Sequence, residues 1–471
     1  MWHFKINSNI MNFKKIQKYS IVLAIPLLLI APSCKDLLDP KPLLYVSEDN
    51  SIVNKKSAEA AVIGAYNALS QNSYQGNTFR YIVNLASDNL RWVGNSPSNR
   101  EFDVHDVFAT NTSVSSLWGA LYSTINISNN IIDKVPKVED QTYSQSERNV
   151  AVGEAHFIRA LAYFDLVRLW ANVPIITERT RSPNSGDGIG NSGPIAVYKQ
   201  ISDDLDVAQS LLPLNPSALN RNRASIYAVY ALKARLFLYL KNWGKAADYA
   251  DLVIKEATKF TLVKPYAQFF NAKNTTESIF EIDYTINNKN SFASNWFASN
   301  ITGGTKELLP TDDLIALLRG PYGGDRKALL LDINTPPKGI ITYGNMNFKI
   351  STGENQVYVL RIAEQYLIRA EAYAELEKPE DAVADIRTVR LRANAADNDL
   401  NGLTDKEIII AKVLQERRLE LAYESHRWFD LIRRGLAVQV LGITDPDKLL
   451  YPIPRQELLV DPALKQNPGY K

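Results

Sequence analysis

Beyond residue 50, apolar positions recur every three or four residues through most of the chain. That is the period of helices that bury one face. Ala58–Leu69 and Ser115–Val135 read as helices of this kind. In "VGEAHFIRALAYFDLVRLW", Phe157, Ala160, Leu161 and Phe164 share a face at i, i+3, i+4, i+7 spacing. Two later stretches match at a fixed offset of 136 positions. Tyr227, Tyr230, Ala231, Ala234 and Leu238 correspond to Ala363, Tyr366, Leu367, Ala370 and Ala374. The helices that follow keep the offset, with Ala247, Ala250 and Val253 against Val383, Ile386 and Val389. Alanines at close-approach points beside aromatics are the pattern of tetratricopeptide helix pairs, which bury their faces only by stacking on neighbours.

The spacing predicts helix pairs at about residues 150–212, 226–257, 362–395 and 404–435, the first split by a long insertion. In the last segment Thr404 and Glu407 fit a capping box, and Gly435 after Arg433 and Arg434 fits a helix end. Between the pairs, residues 74–111, 171–194 and 282–309 read as long irregular regions, and loops of that length are usually functional. Residues 279–286 and 338–350 could hold short strands.

The N-terminus follows another logic. Lys14, Lys15 and Lys18 precede an apolar run, Ile21–Ile30, too short to span a bilayer but suited to a secretory signal. Ala31-Pro32-Ser33 then leads to Cys34, the single cysteine of the chain. The step resembles a bacterial lipoprotein signal, with Ala31 where such signals prefer leucine. This implies a signal over residues 1–33, lipidation at Cys34, and a tether over 34–50 stiffened by Asp39-Pro40-Lys41-Pro42. Two acyl chains hold a protein to a membrane stably where one does not. Residues 51–471 are left as one large helical domain.

Composition narrows the picture. Apolar residues make up 45% and charged residues 22%, values of a globular protein. The net charge of +2 includes four signal lysines, so the mature chain is near neutral and lacks the basic stripe of a nucleic-acid binder. One cysteine allows no internal disulfide. No H-E-x-x-H, G-x-S-x-G or Walker loop is present, and the four histidines are scattered. Gly188-Ile189-Gly190-Asn191-Ser192-Gly193 matches a dinucleotide fingerprint but lacks the strand and βαβ unit that would give it meaning. No catalytic residue, metal site or cofactor is expected.

Taken together, "SCKDLLDPKP", "EAHFIRALAYFDLVRLWANVPI", "NWGKAADYADLVI", "PTDDLIALL", "RIAEQYLIRAEAYAEL", "ERRLELAYESHRWFDLIRRG" and "LYPIPRQELLVDPALKQNPGY" resemble the SusD-like (RagB/SusD) surface lipoproteins, in order and over nearly all of the mature chain. The resemblance implies a mostly α fold, with tetratricopeptide-like pairs in a right-handed superhelical scaffold, long irregular loops and a few short strands. It also implies an outer-membrane, outward-facing, non-enzymatic protein. Such a protein caps a TonB-dependent (SusC-like) transporter and captures oligosaccharides or other nutrients.

A sugar ring offers a flat C–H face and a rim of hydroxyls. Aromatic rings match the face, and Arg, Asn and Asp match the rim. Trp118, Trp170, Trp243 and Trp428 lie in or beside helical patterns and read as packing residues. Trp92 and Trp296 lie in irregular regions among polar neighbours. The candidate ligand residues are therefore Trp92, Trp296, Tyr74, Arg91, Asn95 and Phe297. Two rival readings stand beside this one: a tetratricopeptide scaffold that binds only protein, and a surface glycosidase with two facing carboxylates.

Overall fold

A computed structural model describes residues 51–181, 188–216, 218–296, 305, 307–333, 341–344 and 353–470. The expected signal, Cys34 and the expected tether lie outside the described residues. Among the described residues the first helix, α1 (Lys55–Ser70), starts at a reciprocal cap: Asn54 Oδ1 accepts the Ser57 N–H at 2.9 Å, and Ser57 Oγ accepts the Asn54 N–H at 3.0 Å. The region expected to be irregular from residue 74 holds short elements instead: α2 (Thr78–Leu85), β1 (Leu90–Trp92) and α3 (Pro97–Asp103). They are too short to show a helical period in the sequence.

Next comes α4 (Thr112–Lys134), then α5 (Gln145–Trp170), capped by Ser144 and Glu147. Every residue of α5 from Gly153 to Trp170 is buried. A helix enclosed on all sides must pair the charges it carries, and Glu154, Arg159 and Asp165 are held by Arg223, Asp204 and Arg168. It packs against α4 and α6 (Pro194–Leu211). The "GIGNSG" segment before α6 lies along the C-terminal tail, with the Asn191 amide donating to Lys465 O at 3.1 Å and Lys465 N–H donating back at 2.9 Å.

The repeated units appear as α7 (Ile226–Tyr239) with α8 (Trp243–Ile254), and α11 (Ile362–Glu375) with α12 (Pro379–Arg392), where α9 (Gln268–Asn271) and α10 (Asp312–Arg319) lie between. Ala231, Ala234, Ala247 and Ala250 are buried where the backbones approach, as are Ala363, Ala370 and Ile386 in the second unit. Ions join the two units. Arg235 of α7 grips Glu364 of α11 with two bonds of 2.7 and 2.5 Å, and Arg369 of α11 bridges Asp251 of α8 and Asp385 of α12, each at 2.7 Å.

Three two-stranded antiparallel sheets occur among the described residues. β1 pairs with β3 (Leu308–Pro310), and β2 (Ser278–Ile282) pairs with β6 (Val357–Arg361) through a bulge. β4 (Leu330–Ile333) pairs with β5 (Ile341–Gly344). The fold is thus mostly helical, with repeated pairs and a few short strands.

The last segment departs from expectation at its start. The cap of α13 (Lys406–Glu420) is Asp405, whose Oδ1 accepts the Ile408 N–H at 2.9 Å, so the helix begins one residue after the register that Thr404 and Glu407 suggested. The stretch from that cap to Gly435, which the spacing assigned to a helix pair, breaks after Glu420. Tyr423 and Ser425 adopt left-handed backbone at φ 65°, and the chain restarts as α14 (Arg427–Arg433), α15 (Ala437–Leu441) and finally α16 (Arg455–Val460). Gly435, at φ 69°, ends α14 as expected.

Where α12, α13 and β6 meet, a closed ionic cluster replaces grease. Arg326, Arg361, Arg390 and Arg392 face Glu277, Glu416, Glu420 and Glu424, with side chains at most 5% exposed. Arg361 alone contacts Glu277 and Glu424 at 2.7 Å and Glu420 at 3.1 Å.

Candidate functional site

Two of the irregular regions meet at one place. In the β1–β3 ladder, Arg91 faces Leu309 and Trp92 faces Leu308. Just beyond it, Val93 N–H donates to Glu307 O at 2.9 Å, and Glu307 N–H donates to Asn295 O at 2.8 Å. The 292–296 turn is therefore stitched to the Trp92 strand through one residue. A second stitch runs from the Asn295 amide to Asn77 Oδ1 at 2.8 Å.

The strand rests on a fixed base. Asp88 receives two bonds from Arg427 of α14, at 2.7 and 2.9 Å, and lies 3.2 Å from Arg418 of α13. Burial works to raise the Asp88 carboxyl, but the two guanidinium groups outweigh it and hold the group below its ordinary value. Asn89 accepts from Arg418 Nε at 3.0 Å. Asp88 and Asn89, which read as polar company for Trp92, thus serve to clamp its strand.

Above this base, Trp92 is half-buried. Its ring meets Tyr81 of α2 edge-on, with centroids 6.0 Å apart. The Tyr81 hydroxyl donates to Glu307 Oε2 at 3.2 Å and contacts Asn99. Burial and the neighbouring Glu307 charge push the Tyr81 hydroxyl far above its usual value, so it stays a donor. Gly94 lets the indole fold over the backbone: a Cβ there would overlap Trp92 Cη2 and Cζ2 and stand 3.0 Å from Glu307 Cγ. Arg91 and Asn95 are exposed beside it. The result is a half-open indole edged by a carboxylate, a guanidinium and two amides, which suits the face and rim of a sugar.

Two expected ligand rings are corrected. Trp296 is 1% exposed, held between Phe292 at 5.9 Å and Tyr423 at 5.1 Å. Tyr74 is fully buried, its hydroxyl donating to Asp165 Oδ2 at 2.6 Å. Neither offers a face. The reason is the same for both: polar neighbours in sequence do not face the same way once a turn closes on the body. Phe297 lies outside the described residues. Trp118, Trp170 and Trp428 are core residues, with Trp170 Nε1 donating to Pro452 O at 2.8 Å. Sequence reasoning missed Tyr81, Glu307, Asn99 and Gly94. Only the glycine left a signal, two positions after an aromatic in a loop.

Comparison with known proteins fits this architecture. Residues 335–445 match the model of the SusD family, and residues 38–238 match a model described as "Starch-binding associating with outer membrane". The chain belongs to the SusD-like family. SusD-like protein P25 of Formosa agariphila is 26% identical, aligned over 97% of this chain and 100% of its own length. A SusD-like protein of Bacteroides ovatus is 24% identical over 88% of this chain and 81% of its own. Among solved structures, a laminarin-binding SusD-like protein superimposes with a TM-score of 0.76 at 26% identity, covering 89% of this chain and 100% of its own. A SusD superfamily protein from Bacteroides thetaiotaomicron gives 0.78 at 23% identity, over 88% of this chain and 100% of its own, and supports the fold alone. The SusD-like family is one of carbohydrate-binding proteins associated with the outer membrane.

Proposed function

We propose that this SusD-like protein is a lipid-anchored receptor on the cell exterior, which captures an oligosaccharide and delivers it to a partner TonB-dependent transporter. It acts by binding and release and cleaves no bond. The observation that carries the reading is the half-open Trp92 ring, mounted on a clamped strand where two loop regions join. The laminarin-binding relative, which superimposes over nearly its whole length, makes a β-glucan the first ligand to try. Arg91, Asn95 and Glu307 would bond the hydroxyl rim while Trp92 covers the ring face.

Cys34, behind its signal, supplies the anchor. Labelling with a fatty acid should mark the wild-type chain and leave Cys34→Ala unmarked; equal labelling would remove the anchor. Calorimetry of the purified chain against a glycan panel headed by laminarin tests capture. Heat with at least one glycan and no release of reducing ends on long incubation is the expected outcome. Silence across the panel would favour a scaffold that binds protein alone, and released ends would favour a glycosidase.

A further inference from the structure

The break between α13 and α14 has no local cause in the sequence. The stretch "LELAYESHRWF" holds neither glycine nor proline, and nothing in it stops a helix. Yet Tyr423 and Ser425 both stand at φ 65°, where a side chain crowds its own backbone. Non-glycine residues keep that conformation only where their surroundings over-determine it. Here they do. Asn84 of α2, 2% exposed, donates its amide to Tyr423 O at 3.2 Å and to Ser425 Oγ at 3.1 Å. Glu424, between the two strained residues, takes two bonds from Arg361 at 2.9 and 2.7 Å.

Within five residues the turn reaches every part of the Trp92 face. The Tyr423 ring meets Trp296 at 5.1 Å, in the 292–296 turn that is stitched to Glu307 through Asn295. The Ser425 hydroxyl meets Asn84, which lies one helical turn beyond Tyr81 on α2. Arg427 holds Asp88 at the foot of β1 with bonds of 2.7 and 2.9 Å. An unbroken helix would place residues 423 and 427 together on one face, a turn apart. The left-handed residues let each serve a different partner.

We infer that the strained turn at residues 423–427 positions the Trp92 face, and that Asn84 is the positioning residue that holds this turn. Asn84 is buried too deeply to touch a glycan and acts through the turn. The consequence for capture rests on the Trp92 reading. The positioning itself is measured on the ring, with no ligand present.

The emission of Trp92 is isolated as the difference between each purified chain and its Trp92→Phe counterpart. In Asn84→Ala this emission should shift to the red and become more open to quenching by acrylamide. Affinity for any glycan that the wild type binds should fall about threefold, the net worth of a hydrogen bond. Asp405→Ala weakens α13 at its far end, away from the turn, and should leave the Trp92 emission where it was. Glycine takes the left-handed conformation freely. Ser425→Gly added to Asn84→Ala should therefore return the emission toward that of the wild type, which relief of general instability elsewhere would not do. If Asn84→Ala does not fold, Ser425→Ala, which removes one acceptor and keeps the strained backbone, should give the same shift in smaller measure. Unmoved Trp92 emission in the folded variant, an equal movement in Asp405→Ala, or no recovery with the added glycine would overturn the inference. A shifted ring in a chain that binds no glycan would uphold it and count against the Trp92 reading alone.

Discussion

At Trp92, half-burial is the property that matters. A fully buried indole is core, and a fully exposed one loses its orientation; this one is held by Tyr81 on one side and by Gly94 beneath. Gly94→Ala should push the ring out of its seat. We expect glycan affinity to fall by about tenfold, since a lost stacking contact is worth roughly 1–1.5 kcal/mol, with the melting temperature shifting little. Circular dichroism beside calorimetry separates the two effects. The aromatic assignments also show where sequence reading stops. That a loop tryptophan could stay half-open was legible at Trp92, because an Arg and two Asn lie within three positions of it, and the binding role given to it here is a proposal. The same reasoning failed at Trp296. Its burial depends on Tyr423, 127 positions away, and no local pattern encodes that contact.

The helices were legible wherever they are long and one-faced, because a period of 3.6 needs several turns to show itself. The matched units around residues 227 and 363 are the clearest case, and their α7, α8, α11 and α12 stack through Arg235–Glu364 and Arg369–Asp251. Short elements such as α2 and β1 were not legible, and neither was the break after Glu420. The cap of α13 gives a sharp check. Asp405→Ala should cost about 1 kcal/mol of stability, and Thr404→Ala close to nothing, measured by urea denaturation. The reverse order would restore the earlier register. The ionic cluster between α12, α13 and β6 gives another. Burial alone would raise the Glu420 carboxyl, but Arg392, Arg326 and Arg361 outweigh it and bring it down to about 2. A free glutamate titrates near ~4.3. The stabilisation Glu420 supplies is therefore complete above that value and drains away as pH falls toward about 2. Stability should drop across that window in the wild type and drop less steeply in Glu420→Gln. At neutral pH the same variant should be less stable by about 3–5 kcal/mol, because three buried guanidinium groups lose part of their counter-charge.

Taken as a whole, the domain is a helical body that brings distant loops together. Glu307 illustrates this: it joins a strand near residue 92 to a turn near residue 295, and the base of that strand is braced by Arg418 and Arg427 from the C-terminal helices. The fold class and the family were legible because their motifs run the length of the chain, whereas the proposed binding face needed the tertiary contact between residues more than 200 positions apart. The same brace carries a prediction for Arg427→Ala. It should loosen the Trp92 strand through Asp88, lowering glycan affinity several-fold although Arg427 bonds Asp88 and not the proposed ligand; restored binding in Arg427→Lys would confirm that a cation at that point is what counts.

The most direct measurement is a pair of titrations with the best glycan of the panel, one on Trp92→Ala and one on Trp296→Phe, with the wild type beside them. The account predicts that Trp92→Ala abolishes the heat of binding, and that Trp296→Phe, which keeps an aromatic in the interior, binds as the wild type does. Full binding by Trp92→Ala, or its loss in a folded Trp296→Phe, would contradict it.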